Sequence, residues 1–261
     1  MTSVHLAVCQ LHIDLDAPFA ERVAHAERVV RAQSGADLAV LPELWANGGF
    51  LHERFAAEAQ PIDGPLVTTL RSAARETGIW LHGGSFVERA GDGRLFNTSV
   101  LIDPDGDLRA AYRKLHLFGF RGGETTVLSG GTDVVSCETP FGVVGLATCY
   151  DLRFPELFRA LLDQGAVMCL VPAAWPERRI AHWELLVRAR AIEDQLVVVA
   201  CNTVGQQGDV GLGGRSMVVD PWGDVLAQAG PGGEEVLLVD VDLAEVARTR
   251  ERFPVLPDRR L

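Results

Sequence analysis

Two stretches of this chain repeat each other's pattern, and that repeat constrains the fold more than any other feature. Residues 35–43 (G-A-D-L-A-V-L-P-E) are echoed by residues 165–173 (G-A-V-M-C-L-V-P-A). Residues 99–108 (S-V-L-I-D-P-D-G-D-L) are echoed by residues 216–225 (S-M-V-V-D-P-W-G-D-V). Each half therefore runs strand, helix, strand, strand in one order. Two such halves imply two sheets packed face to face with helices outside, a four-layer α-β-β-α sandwich. Neither half could cover its own sheet, so residues 1–261 read as one integrated α/β domain. A doubly wound single sheet is the alternative, but it leaves the repeat unexplained.

The individual elements follow from periodicity and punctuation. Residues 4–10 alternate as a strand. Residues 18–33 have helical spacing, with Asp16 as the cap. A continuous apolar strand over 37–41 ends at Pro42-Glu43. A helix over 66–77 stops at Gly78, and strands follow at 79–86, 98–103 and 108–112. In the second half the spacing predicts strands at 143–147, 167–172, 196–202, 215–219 and 235–241. Helices are expected at 156–163 behind Pro155, at 180–195 and at 243–251. The tail 253–261, with two prolines and two arginines near its end, cannot fold alone and is expected to lie along another surface, at a subunit interface.

Composition narrows the function class. No apolar run reaches the ~18 residues of a membrane span, and residues 1–10 lack the basic start and cleavage site of a signal peptide. The net charge of -11 argues against nucleic acid or an anionic membrane as partner. Five widely spaced cysteines without a C-x-x-C pair fit a reducing cytoplasm better than a disulfide framework or a zinc site. Cys9, Cys137, Cys169 and Cys201 fall on apolar strands and read as core. Of the 24 Lys+Arg residues only Lys114 is a lysine. That suits a place where a compact ammonium is needed and a broad guanidinium would not do, unless it is a chance survivor.

Three residues carry the chemistry. Glu43 and Lys114 each follow a strand, and Cys149 sits at a strand-to-helix corner in 143–156 (V-V-G-L-A-T-C-Y-D-L-R-F-P-E). Ligands collect where strands end in α/β proteins. Free N–H groups and a helix dipole at such a corner favour thiolate over thiol. A carboxylate can take the thiol proton and return one to a leaving amine, while the ammonium faces a developing oxyanion. Taken singly, each residue also has an ordinary reading: a loop carboxylate, a surface cation, a buried core thiol.

The segments 41–44 (L-P-E-L), 112–118 (Y-R-K-L-H-L-F) and 149–156 (C-Y-D-L-R-F-P-E) resemble the three signatures of the nitrilase superfamily of carbon–nitrogen hydrolases. The resemblance runs from Val4 to about Phe253. It implies the α-β-β-α sandwich, a Glu43–Lys114–Cys149 triad, no cofactor or metal, and homodimers or larger assemblies. It makes Glu43 the general base and acid, Cys149 the nucleophile, and Lys114 with the Tyr150 N–H the oxyanion site. Glu124 matches the second glutamate that holds lysine and substrate. The residues after Cys149 resemble those of omega-amidases and deaminated-glutathione amidases. That implies a small-molecule amide with a distal carboxylate, which Arg153 would clamp unless it pairs with Glu156. Ala174 and Trp175 are expected to line the pocket, and Trp45 either faces it or packs in the core. His116 is expected to order the lysine loop. Two segments depart from the pattern, 119–121 (G-F-R) and 202–205 (N-T-V-G), so a nitrile or N-carbamoyl substrate stays open.

Overall fold

The computed structural model describes residues 3–260. The expectations for Met1 and Thr2 at the chain start, for Leu261 in the tail and for the Arg121 side chain lie outside the described residues. The first half supplies β1 (Ser3–Gln10), β2 (Leu38–Val40), β3 (Trp80–Arg89), β4 (Leu95–Ile102) and β5 (Leu108–Arg113), with α1 (Phe19–Arg31), α2 (His52–Glu58) and α3 (Pro65–Thr77). The second half begins with β6 (Ser136–Thr139), β7 (Gly142–Leu146), β8 (Met168–Pro172) and β9 (Val197–Cys201). A hairpin of β10 (Val204–Gln207) and β11 (Val210–Gly213) follows, then β12 (Met217–Val219), β13 (Val225–Gln228) and β14 (Glu235–Asp242). Its helices are α4 (Pro155–Asp163), α5 (Ile180–Asp194) and α6 (Ala244–Arg252).

The repeat expected from the sequence is present strand for strand. One six-stranded sheet has the order β14-β1-β2-β3-β4-β5 and the other β13-β12-β9-β8-β7-β6. In each, three central strands are parallel (β1, β2, β3 and β7, β8, β9) and the flanking strands antiparallel. The register corresponds too, with Leu6 opposite Leu38 and Val144 opposite Met168. The last strand breaks the division into halves: β14 returns to the first sheet and pairs with β1 along its length.

Alternation along β1 separates the layers. Val4, Leu6 and Val8 join the cluster that includes the second sheet, while Ala7 and Cys9 join the cluster formed with α1 and α3. On the other side α4 and α5 press Leu157, Phe158, Leu161, Trp183 and Val187 onto the second sheet. The order is thus helix, sheet, sheet, helix, and the single-sheet alternative is excluded. The central strands β2 and β8 are buried along their whole length, which is why they read as unbroken apolar runs.

Local signals explain most boundaries. Gly78 ends α3 at φ 70°, a left-handed cap that a Cβ would strain. Pro155 opens α4 at its first turn, where no N–H is needed. Asp16 does not cap α1. Pro18 holds the cap position, and Asp14 instead accepts the Asp16 and Ala17 amides at 3.0 and 3.4 Å. The short α2, β6, β10, β11 and β13 were not expected, because pieces this brief show no period of their own. Cys9, Cys169 and Cys201 are buried, but Cys137 is half-exposed because β6 is an edge strand. The tail lies against its own chain. Gln195 Nε2 donates to the Phe253 carbonyl at 2.8 Å, and Arg259 pairs with Asp163 at 2.7 Å.

Because β14 covers the edge of β1, a chain ended at Gly233 should leave that edge and the sheet's inner face exposed. We expect it to lose its cooperative thermal transition by circular dichroism, whereas a chain ended at Arg252 keeps one. Cooperative melting of the shorter chain near the full-length midpoint would contradict this topology.

Candidate active site

The carboxyl ends of β2 and β7 meet at one rim of the sandwich. At the end of β2 the chain turns at Pro42-Glu43, and Leu44 takes φ 47°. The turn is possible because β3 runs against it through Gly84 (φ 61°), where a Cβ would lie 2.0 Å from the Pro42 carbonyl. Ser85 completes the corner, its N–H donating to Pro42 O at 3.2 Å and its Oγ accepting from Leu44 N–H at 3.0 Å. Glu43 is thereby directed inward and is 2% exposed.

Lys114 follows β5 directly and is 1% exposed. Its Nζ donates to Glu43 Oε1 at 2.8 Å and to Glu124 Oε2 at 2.7 Å. Asn97, on β4, joins the same two acids, its Nδ2 donating to Glu43 Oε1 and to Glu124 Oε1, both at 2.8 Å. The Ala174 N–H donates to Glu43 Oε2 at 2.8 Å, and the Phe118 N–H to Glu124 Oε2 at 2.7 Å. Glu124 enters through a tight turn at Gly123 (φ 36°), where a Cβ would meet the Phe118 carbonyl at 2.1 Å. Burial would pull the Lys114 ammonium down, but the charges of Glu124 and Glu43 outweigh it and hold it well above the lysine range.

Cys149 opens a 3₁₀ turn (Cys149–Arg153) after β7 and takes φ 48°. This left-handed geometry costs an L-residue about 1–2 kcal/mol. As second residue of the turn, Tyr150 has an N–H with no carbonyl partner inside it. The thiolate expected at this corner is not the resting state. Burial pushes the Cys149 thiol well above its ordinary range and the Glu43 charge adds to it, while Lys114 and the Ala174 N–H offset only part. The site therefore holds a thiol beside a base.

Asp151, fully buried, ties the cysteine turn to the lysine loop. Its Oδ2 accepts from the Tyr112 hydroxyl at 2.7 Å and the Thr148 N–H at 2.8 Å. Its Oδ1 contacts the N–H and Nδ1 of His116 at 3.0 and 2.7 Å. His116 also stacks on Phe154 with centroids 3.9 Å apart, so it orders the loop as expected.

The pocket over these groups is walled by Phe50, Phe118, Tyr150 and Trp175, with Arg153 and Arg179 among its lining. Ala174 and Trp175 are among its lining, and Arg153 makes no ion pair with Glu156. Trp45 is core: its Nε1 donates to the Gly83 carbonyl at 2.8 Å. Sequence reasoning missed Asn97, the tying role of Asp151, and the wall residues Gly49, Phe50, Phe118 and Arg179. Asn97 had no motif around it, and Arg179 lies outside the segments that the sequence singled out. Among the described residues no three His, Cys, Asp or Glu side chains converge as a metal site requires.

Residues 5–251 match the carbon-nitrogen hydrolase family. The chain is 42% identical to a 2-oxoglutaramate amidase of Paenarthrobacter nicotinovorans, over 98% of this chain and 89% of that one. A carbon–nitrogen hydrolase superfamily protein from Xanthomonas campestris, with an arsenic adduct in its active site, superposes with a TM-score of 0.92 at 30% identity, covering 100% of this chain and 98% of the other. A glutamate-to-glutamine variant of the amidase from Nesterenkonia sp. AN1, with the acetamide moiety of fluoroacetamide covalently added at its active-site cysteine, superposes with a TM-score of 0.83 at 26% identity, 96% of each chain being covered.

Two outcomes follow from the charges. Glu43→Gln removes the negative charge that raises the thiol and leaves Lys114 in place. Alkylation of Cys149 by iodoacetamide at pH 7, read by mass spectrometry, should quicken about tenfold or more, and in the unaltered protein it should climb with pH through 9. Slower alkylation of the variant would contradict the assignment of cause. Asp151→Ala strips two buried donors, the Tyr112 hydroxyl and the Thr148 N–H, and the half-buried His116 of their acceptor and should cost about 3 kcal/mol or more in denaturant unfolding. A loss below about 1 kcal/mol would mean that water replaces the carboxylate.

Proposed function

The chain belongs to the carbon–nitrogen hydrolase family and hydrolyses amides, and on that premise we propose that it is a cysteine-dependent amidase for omega-amides of small dicarboxylic acids. The observation that carries the assignment is the buried contact of Lys114 with both Glu43 and Glu124 beside a neutral Cys149 thiol.

The mechanism has two stages. Glu43 takes the Sγ proton, and the sulfur attacks the amide carbon. The carbonyl oxygen becomes an oxyanion facing the Lys114 ammonium and the Tyr150 N–H. Collapse breaks the C–N bond, and Glu43 passes its proton to the nitrogen, which leaves as ammonia. A thioester on Cys149 remains. Glu43 then takes a proton from water, whose oxygen attacks the thioester carbon. The second tetrahedral adduct expels the sulfur, which regains its proton from Glu43, and the carboxylic acid product gives up its own proton to solvent or to the released ammonia. Glu124 keeps Lys114 in place through both stages. Arg153, at the pocket wall without a carboxylate partner, takes the substrate's distal carboxylate bidentately. The name of the 2-oxoglutaramate amidase relative supports the same substrate class.

No helix among the described residues is long and apolar enough to cross a membrane. The five unpaired cysteines suit a reducing cytoplasm. Leu185 and Ile192, exposed on α5, suit a homodimer face, and Ile192 shares a surface hollow with Phe253, Val255 and Leu256 of the tail.

Ammonia release should be fast from succinamate, glutaramate and 2-oxoglutaramate and slower by about tenfold or more from neutral amides, nitriles and N-carbamoyl amines. A thioester adduct on Cys149 should be seen by mass spectrometry after rapid acid quench, and Cys149→Ala should abolish turnover. Undiminished turnover by that variant would end the cysteine mechanism, and a nitrile as best substrate would end the amide assignment.

A further inference from the structure

The mechanism gives Arg153 a task at the pocket wall and leaves Arg179, which lines the same pocket, without one. Arg153 and Arg179 both line that wall. The Arg153 Cζ lies 4.8 Å from the Trp175 ring centroid and 5.9 Å from that of Tyr150, and the Arg179 Cζ lies 5.1 Å from that of Phe118. Stacking of this kind fixes the plane of a guanidinium while leaving its N–H edge free to donate. Arg153 Nη2 contacts His182 Nδ1 at 3.3 Å, and among the described residues neither guanidinium pairs with a carboxylate.

Both acids that line the pocket are already engaged by Lys114 and Asn97. The lining therefore holds three cations against two carboxylates, within a chain whose net charge is -11. Burial and the neighbouring charges of Arg178 and Arg153 pull Arg179 below the ordinary arginine range. Two like charges are thus held near one another at a partly dehydrated wall with no counter-ion.

Arg179 is also firmly placed. It closes a 3₁₀ turn (Glu177–Arg179), and its carbonyl accepts the Trp175 Nε1–H at 2.8 Å. The β10–β11 hairpin buttresses that turn, with the Gly213 N–H donating to the Trp175 carbonyl at 3.0 Å and Pro176 bridging to Leu212.

We propose that Arg179 is the second arm of the anion site, closing with Arg153 on the distal carboxylate of the substrate and so setting the preference for an omega-amide over a neutral amide. This rests on the amidase assignment above. Arg179 acts on specificity and not on bond cleavage, so its loss should separate binding from turnover.

The test compares succinamate with butyramide, which differ in bearing a carboxylate or a methyl at the far end. Arg179→Gln should raise KM for succinamate about 10–100-fold with kcat near its original value, and leave butyramide unaffected. Arg179→Lys should recover part of the loss. An equal penalty on both amides would mean a structural role, and no penalty on either would mean that the side chain does not reach the ligand; each overturns the proposal. Calorimetric binding of succinamate to Cys149→Ala, with and without Arg179→Gln, reads the same contact without turnover. Arg179-dependent binding in a protein that cleaves no amide would sink the amidase assignment and keep the anion site. Amide turnover with binding indifferent to Arg179→Gln would do the reverse.

Discussion

One ammonium buried between two carboxylates is the interaction on which the rest of this structure depends. Dehydrating an ion costs several kcal/mol, and the cost is met only when partners satisfy each remaining donor and lone pair. Lys114 and its two acids do so with Asn97 from β4, the Ala174 amide after β8 and the Phe118 amide of the lysine loop. Those partners belong to both sheets, so the cluster forms only when the sandwich closes. The choice of lysine follows. Its compact head meets two acids from one point, where a planar fork would need a wider opening. The single lysine of the chain stands where that geometry is required.

The same cluster decides the state of the nucleophile. Burial and the Glu43 charge both act against a thiolate at Cys149, and at 8% exposure water screens little of that charge. The free N–H groups of the cysteine turn, which alone would favour a thiolate, are outweighed by burial and Glu43. In the proposed reaction the thiol loses its proton only as substrate brings a carbonyl that can accept the charge. In that reaction the carboxylate that opposes ionisation at rest, Glu43, is the group that receives the proton.

What was legible in the sequence was whatever is written locally. Glu43, Lys114 and Cys149 each sit at the end of a strand in a short distinctive segment, and the repeat gave away both sheets. What was not legible depends on distant partners. Asn97 lies in an ordinary alternating strand, and only the folded chain brings Glu43 and Glu124 to it across 54 and 27 positions. Asp151 was visible in its motif, yet its hold on Tyr112 and His116 spans 39 and 35 positions. The return of β14 to β1 was hidden for the same reason, since alternation in residues 235–241 marks a strand without naming its neighbour.

The places where the repeat fails are as informative as those where it holds. Aligning residues 35–43 with 165–173 sets Glu43 against Ala173. The strand registers then set Cys149 against Leu11, because Leu6 faces Leu38 as Val144 faces Met168. The two corners touch: the Glu43 N–H reaches the Ala173 carbonyl at 3.4 Å, and the Ala174 N–H reaches the Glu43 carboxylate. A second glutamate at position 173 would bring another buried carboxylate to this contact, with no second lysine to neutralise it. The fold offers two equivalent corners, but electrostatics permits only one of them to be charged. Glu43 and Cys149 therefore come from different halves of the repeat, and their counterparts Ala173 and Leu11 are apolar.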